Sequence, residues 1–171
     1  MTSTENKRKE LEHILIKENF VKITEAIKVL REEAPVRGVI SLLVSFYDRT
    51  DNDSVKRLIR DFLNDLKDQG ACEEVMDEIA KDIKTDTRRM IISSCWQSGL
   101  DYSGFSKRFA GIFVSSDYMT AIECFTVIES SAERLSQSER DELIGLINEG
   151  TMSGSDEMKT LARELVSSLR G

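Results

Sequence analysis

The sequence predicts an all-α protein, an α-α superhelix (a solenoid) of about five antiparallel helix pairs. Three observations predict it. Apolar residues recur at alternating intervals of three and four along almost the whole chain, the period of one helical face. Strand signals, meaning alternating β-branched runs closed by Asn-Gly or Asp-Gly turns, are absent from the sequence, which holds a single proline and nine glycines. An amphipathic helix opened by an aspartate also returns: Asp53, Asp86, Asp117 and Asp156 are separated by 33, 31 and 39 residues. An uneven period of about 30–40 residues marks stacked two-helix units, because one hairpin cannot cover its own apolar face.

The clearest element is Asp53–Leu66, where Val55, Leu58, Ile59, Phe62, Leu63 and Leu66 form one apolar stripe. Lys56, Arg57, Arg60, Asp61 and Asn64 turn outward from it. Before it, residues 4–17 and 20–33 read as a looser N-terminal cap pair over 1–34, carrying Leu11, Ile14 and Leu15, then Phe20, Ile23, Ile27 and Leu30 inward. A break at Glu18–Asn19 or one long helix would both satisfy that pattern. Pro35 suits the first turn of a third helix, where its missing N–H costs nothing. That helix, 35–48, is apolar on most sides (Val36, Val39, Ile40, Leu42, Leu43, Val44, Phe46, Tyr47), which predicts a central position.

After the central stripe, 71–83 presents Cys72, Val75, Met76, Ile79, Ala80 and Ile83. Residues 86–98 present Ile91, Ile92, Cys95 and Trp96, and Gly99 is placed to end that helix. Asp101 can cap 102–115, with Tyr102, Phe105, Phe109, Ile112 and Phe113 inward, and Ser116 can cap 117–130, with Tyr118, Ala121, Ile122, Phe125 and Ile128 inward. Ser136 and Glu139 form a capping box for 137–148, Gly150–Gly154 reads as a loop, and 155–170 closes the chain with Met158, Leu161, Ala162, Leu165, Val166 and Leu169.

At this point the residues resemble a known family. D-S-V-K-R-L-I-R-D-F-L and S-D-E-M-K-T-L-A-R-E-L look like second helices of HEAT repeats, which favour an aspartate in the turn, then valine and a basic residue. The resemblance covers Pro35 to the C-terminus. Arg88 at the first stripe position and the missing basic pair after Asp117 depart from it, and the period is shorter than the usual ~40–47 residues. Tetratricopeptide repeats have a closer period, but their W-x2-L-G-x2-Y pattern is missing. An irregular helical bundle is the remaining alternative.

Bulk properties narrow the function. The chain has 171 residues, enough for one domain with a sizeable core, and carries a formal charge of −7. With a pI of about 4.9 it is a poor match for nucleic acid or an anionic membrane surface. No stretch approaches a membrane span, and the N-terminus does not read as a signal peptide, so a cytoplasmic protein is expected. Cys72, Cys95 and Cys124 form no C-x-x-C and read as core thiols, and His13 as a solvated side chain. No phosphate-binding glycine loop, nucleophile elbow or zinc-binding helix motif is present, so neither catalysis nor a cofactor is expected. The acidic pairs Glu73–Glu74 and Asp77–Glu78 read as solvated charge, and Asp48–Asp53 lacks the glycine and glutamate of a calcium loop. Trp96 reads as a core residue on the Ile92–Cys95 stripe, with a binding anchor as the alternative.

In HEAT-like stacks the second helices line the concave surface. The resemblance therefore implies one groove holding Arg57, Arg60, Arg89, Ser93, Gln97 and Glu123. It would be a contact strip for an acidic or polar protein or peptide partner. The competing reading has Arg57, Arg60, Arg88 and Arg89 pair with aspartates of neighbouring turns as a ladder that fixes the register. The expected function is a non-enzymatic protein-binding scaffold or adaptor. Alternatives are a small-ligand-binding or lyase-like accessory protein with Tyr102 and Trp96 lining its groove, and a nucleic-acid-processing helical repeat, which the negative charge disfavours.

Overall fold

The computed structural model describes residues 3–17, 19–33 and 35–171. It is all-α. Ten α-helices and two 3-10 turns occur among the described residues, and no strand does. The chain divides into two compact units, Met1–Leu100 and Asp101–Gly171.

The N-terminal unit holds α1 (Ser3–Ile16), α2 (Phe20–Glu32), α3 (Val39–Arg49), α4 (Asp53–Asn64), α5 (Ala71–Ile79) and α6 (Thr85–Gln97). They pack as three hairpins, α1 with α2, α3 with α4, and α5 with α6. First helices touch first helices (α1 with α3, α3 with α5), and second helices touch second helices (α2 with α4, α4 with α6). The unit is therefore two ranks of helices with one apolar layer between them. Ile23, Leu43, Val44, Val55, Ile59, Leu63, Val75, Met76, Ile91 and Ile92 are all fully enclosed there. As its composition predicts, α3 is central, with α1, α4, α5 and α6 all against it.

The C-terminal unit repeats this plan. It holds α7 (Ser106–Ser115), α8 (Tyr118–Ser131), α9 (Gln137–Thr151) and α10 (Asp156–Arg170). Hairpins α7–α8 and α9–α10 lie side by side, α7 against α9 and α8 against α10. Phe109, Phe113, Cys124, Ile128, Leu143, Ile147, Leu165 and Leu169 form its core.

Helix ends depart from the sequence reading in instructive ways. Pro35 does not open α3; that helix starts at Val39, after Gly38 at φ +89°, a backbone state that favours glycine. Glu18 lies outside the described residues, but Asn19 caps α2, its side chain accepting from the Lys22 N–H at 3.1 Å. Of the four recurrent aspartates only Asp117 is a cap, accepting from the Thr120 N–H and hydroxyl. It takes the role expected of Ser116. Asp53, Asp86 and Asp156 sit inside the first turn, where a negative charge favours the helix dipole. Their caps differ: Asn52 accepts from the Ser54 and Val55 N–H groups, and Ser155 from Met158. Asp101 turns a 3-10 turn at Ser103–Phe105 rather than an α-helix. The capping box forms as expected, Ser136 and Glu139 bonding reciprocally, and those bonds hold the Glu139 carboxyl below its usual range.

Three aromatic side chains expected inside are partly outside: Phe20, Trp96 and Tyr118 are each about two-fifths exposed, at 44%, 39% and 43%. Phe20 and Tyr118 are the first residues of their helices. Trp96 sits in the last turn of α6, where Cys95 takes the inward position beside Ile91 and Ile92.

Gly150 is not in a loop. It belongs to α9, and a Cβ built on it would lie 2.6 Å from Val114 Cβ on α7. Alanine there should gain about 1 kcal/mol of helix propensity and lose about 1–3 to overpacking. We expect Gly150→Ala to be destabilising in urea unfolding, and the loss to shrink when Val114→Ala is added. A single variant more stable than the parent would show that the two helices can separate without cost.

Candidate binding surface

The sequence places six polar residues on one strip, and the structure shows what surrounds each. Arg57, Arg60 and Asn64 share a face of α4 by their spacing of three and four, and Arg89, Ser93, Trp96 and Gln97 share a face of α6. The two faces meet: Asn64 Nδ2 donates to Gln97 Oε1 at 3.0 Å, and Gln97 Nε2 donates to Ser93 Oγ at 2.8 Å. The helices run in the same direction. Asp53 and Asp86, in their first turns, both bear on the Tyr47 phenol, while Asn64 and Gln97 meet at their ends.

Tyr47 of α3 anchors the polar end of this face. Burial raises its phenol above the ordinary tyrosine range, with the Arg60 guanidinium pulling it part of the way back. Lys56 Nζ stands 5.4 Å from the centre of its ring. Arg89 pairs with Asp86 at 3.5 Å within α6. Arg57 and Arg60 are exposed, and neither has a carboxylate within ion-pair distance among the described residues. Glu123 is half-buried on α8 and belongs to the C-terminal unit.

Of the four arginines only Arg88 takes a structural role, and its acceptors are carbonyls rather than aspartates; the rest of the register-holding role falls to Glu74, Asp48 and Lys81. Arg88, which breaks the stripe in sequence, donates from Nε to the Ile79 carbonyl at 3.1 Å and from Nη2 to the Lys81 carbonyl at 2.8 Å, closing the end of α5. Glu74 of α5 accepts from the Gly38 and Ser41 N–H groups at the start of α3. Asp48 of α3 accepts from the Lys84 N–H ahead of α6 at 2.9 Å. Glu78, almost wholly buried, is paired with Lys81, which also reaches Ser41.

Sequence reasoning missed a cavity of about 880 Å³ in the N-terminal unit. It opens where the ends of α2 and α4 and the starts of α3 and α5 converge. Leu30, Val36, Ile40, Phe62 and Leu66 supply its apolar wall, and Arg31 and Asp65, 3.2 Å apart, lie on its rim. Leu66 was readable as a continuation of the α4 stripe; instead α4 ends at Asn64 and Leu66 turns into this wall. Neither Tyr102 nor Trp96 lines it. Tyr102 is buried edge-on against Phe109, ring centres 6.1 Å apart, in the C-terminal unit.

The remaining chemistry is muted. Cys72, Cys95 and Cys124 are buried free thiols, and burial, with Glu123 and Asp117 adding to it, pushes Cys124 up to about 12, which makes it a poor nucleophile. Among the described residues no group of three or more His, Cys, Asp and Glu is arranged to hold a metal ion. Among the described residues no helix is long and apolar enough to cross a membrane.

No family model matches this chain, and neither does any curated protein or solved structure.

Proposed function

We propose that the protein is a non-enzymatic binding scaffold of the HEAT-like kind, whose α4–α6 face receives an acidic segment of a partner protein. The two-rank hairpin packing inside each unit supports the HEAT-like reading. One observation carries the functional reading: Arg57 and Arg60 stand exposed without an internal counter-charge, while Arg88, Glu74, Asp48 and Lys81 hold the hairpins in register. Two arginines that are not needed for register are suited to a bidentate carboxylate contact. Trp96, exposed on the α6 stripe that carries Arg89, Ser93 and Gln97, adds the kind of flat apolar anchor that dominates interface energetics.

The test is affinity capture from native lysate with three baits. A partner held by the parent chain should be lost with Arg60→Ala and with Trp96→Ala, the latter weakening binding by about 2 kcal/mol, roughly thirtyfold. Both variants should melt close to the parent in circular dichroism, since both side chains are exposed. Unchanged capture by both would overturn the assignment of this face. Unfolding by Arg60→Ala would return that arginine to a structural role.

A further inference from the structure

We propose that the segment received by the α4–α6 face is a helix with its side chains in a set order: a large apolar residue, two acidic residues and a basic one, each about one turn from the last. This rests on the reading of that face given above and names the partner's chemistry within it.

The order follows from the register of the two helices. Asn64 meets Gln97 at one end, 33 positions apart in sequence. Asp53 and Asp86, with the same separation, both bear on Tyr47 at the other end. The helices therefore run level, Arg57 with Met90, Arg60 with Ser93 and Leu63 with Trp96. At a helical rise of 1.5 Å per residue, Trp96 stands about 4.5 Å along the axis from Arg60 and about 9 Å from Arg57, and Asp53 lies about 6 Å beyond Arg57. The neighbouring charges do not blur this order. Asp61 is one turn from Asp65, which pairs with Arg31, so it belongs to the α2 side of α4. Arg89 is held by Asp86, and Lys56 lies over the Tyr47 ring. A partner thus meets an exposed indole, two exposed guanidiniums and an exposed carboxylate in sequence.

The same face selects a helix over an extended chain. An extended segment needs side-chain amides along the strip to meet its own N–H and C=O groups. Here the amides stand at one end and bond to one another, Asn64 to Gln97 and Gln97 to Ser93, and Asn64 Oδ1 is enclosed. A helix satisfies its own backbone and brings only side chains. It also shares the rise of α4 and α6, so residues three to four apart on one of its faces keep step with Trp96, Arg60, Arg57 and Asp53.

The probe is a fluorescein-labelled, alanine-rich helix carrying leucine, glutamate, glutamate and lysine at those intervals, titrated into the full chain and read by anisotropy. It should bind roughly tenfold more tightly than a helix of the same composition ordered glutamate, leucine, lysine, glutamate, and than the matched peptide interrupted by proline. Arg60→Glu should weaken the matched helix about tenfold, and lysine in place of the glutamate nearest the leucine should restore binding to that variant. Trp96→Ala should weaken the matched helix and leave a version with alanine for leucine unchanged, since the two truncations remove one contact. Equal binding of the reordered helix, equal binding of the proline peptide, or no restoration by the lysine swap would each overturn the proposal while leaving the α4–α6 face as the site of an acidic partner. Failure of every peptide to bind would overturn it too, and capture from lysate would then decide the reading of the face by itself.

Discussion

Phe109→Ala is expected to cost about 3–5 kcal/mol of unfolding free energy in the C-terminal unit. Phe109 has no exposed surface, and Tyr102 closes its ring edge-on at 6.1 Å. It sits on α7, which packs against both α8 of its own hairpin and α9 of the next. The core around it is enclosed, with no exposed surface on Phe113, Cys124, Ile128 or Ile147, and can relax only partly into the space. Both the transfer term and the void term should then apply in full. Because the chain divides into two units, the loss is best read by amide hydrogen exchange across α7–α10 in urea rather than from a single transition. A loss below about 1 kcal/mol would mean that α7 presents a different face to its neighbours.

Phe62→Ala should cost less, about 3 kcal/mol, though the chemical change is identical. Phe62 is 8% exposed, and its outer edge forms part of the cavity wall. Truncation there enlarges a space already open to solvent instead of creating a sealed void, so the void term is small and mostly the transfer term remains. The same exchange measurement on α2, α4 and α6 checks it. A cost equal to that of Phe109→Ala would show the cavity closed in solution. A cost below about 1 kcal/mol would show that the stripe Val55–Ile59–Phe62–Leu63 does not face the hairpin interior.

Most of the fold was legible because one signal, the apolar period, is written into every helix. The Asp53–Leu63 stripe and the capping box at Ser136–Glu139 fall where the pattern places them. The pattern is weakest at helix ends. Polar residues cluster there, and several can cap: Asn52 rather than Asp53 caps α4, Ser155 rather than Asp156 caps α10, and Asp117 rather than its neighbour Ser116 caps α8. Trp96 shows another limit. A stripe gives the angle of a side chain around its helix and says nothing of whether a neighbouring helix extends far enough to cover it. The same blindness hid the cavity, whose walls come from four helix ends that share no periodicity. Gly150 read as a loop residue because close approach to Val114 is a long-range fact. Of the polar strip, the α4 and α6 stripes were readable from spacing, while the Asn64–Gln97 bond that joins them was not.

The carboxylates and the guanidinium that close one helix with a side chain from another have a thermodynamic corollary. Glu74 reaches from the third hairpin to the second, and Asp48 from the second to the third. Excising either hairpin would therefore strand the other's backbone amides, and the two should gain or lose order in a single step. The nearest-neighbour coupling between them is then partly polar. It should persist on cooling, where the hydrophobic contribution alone would fade.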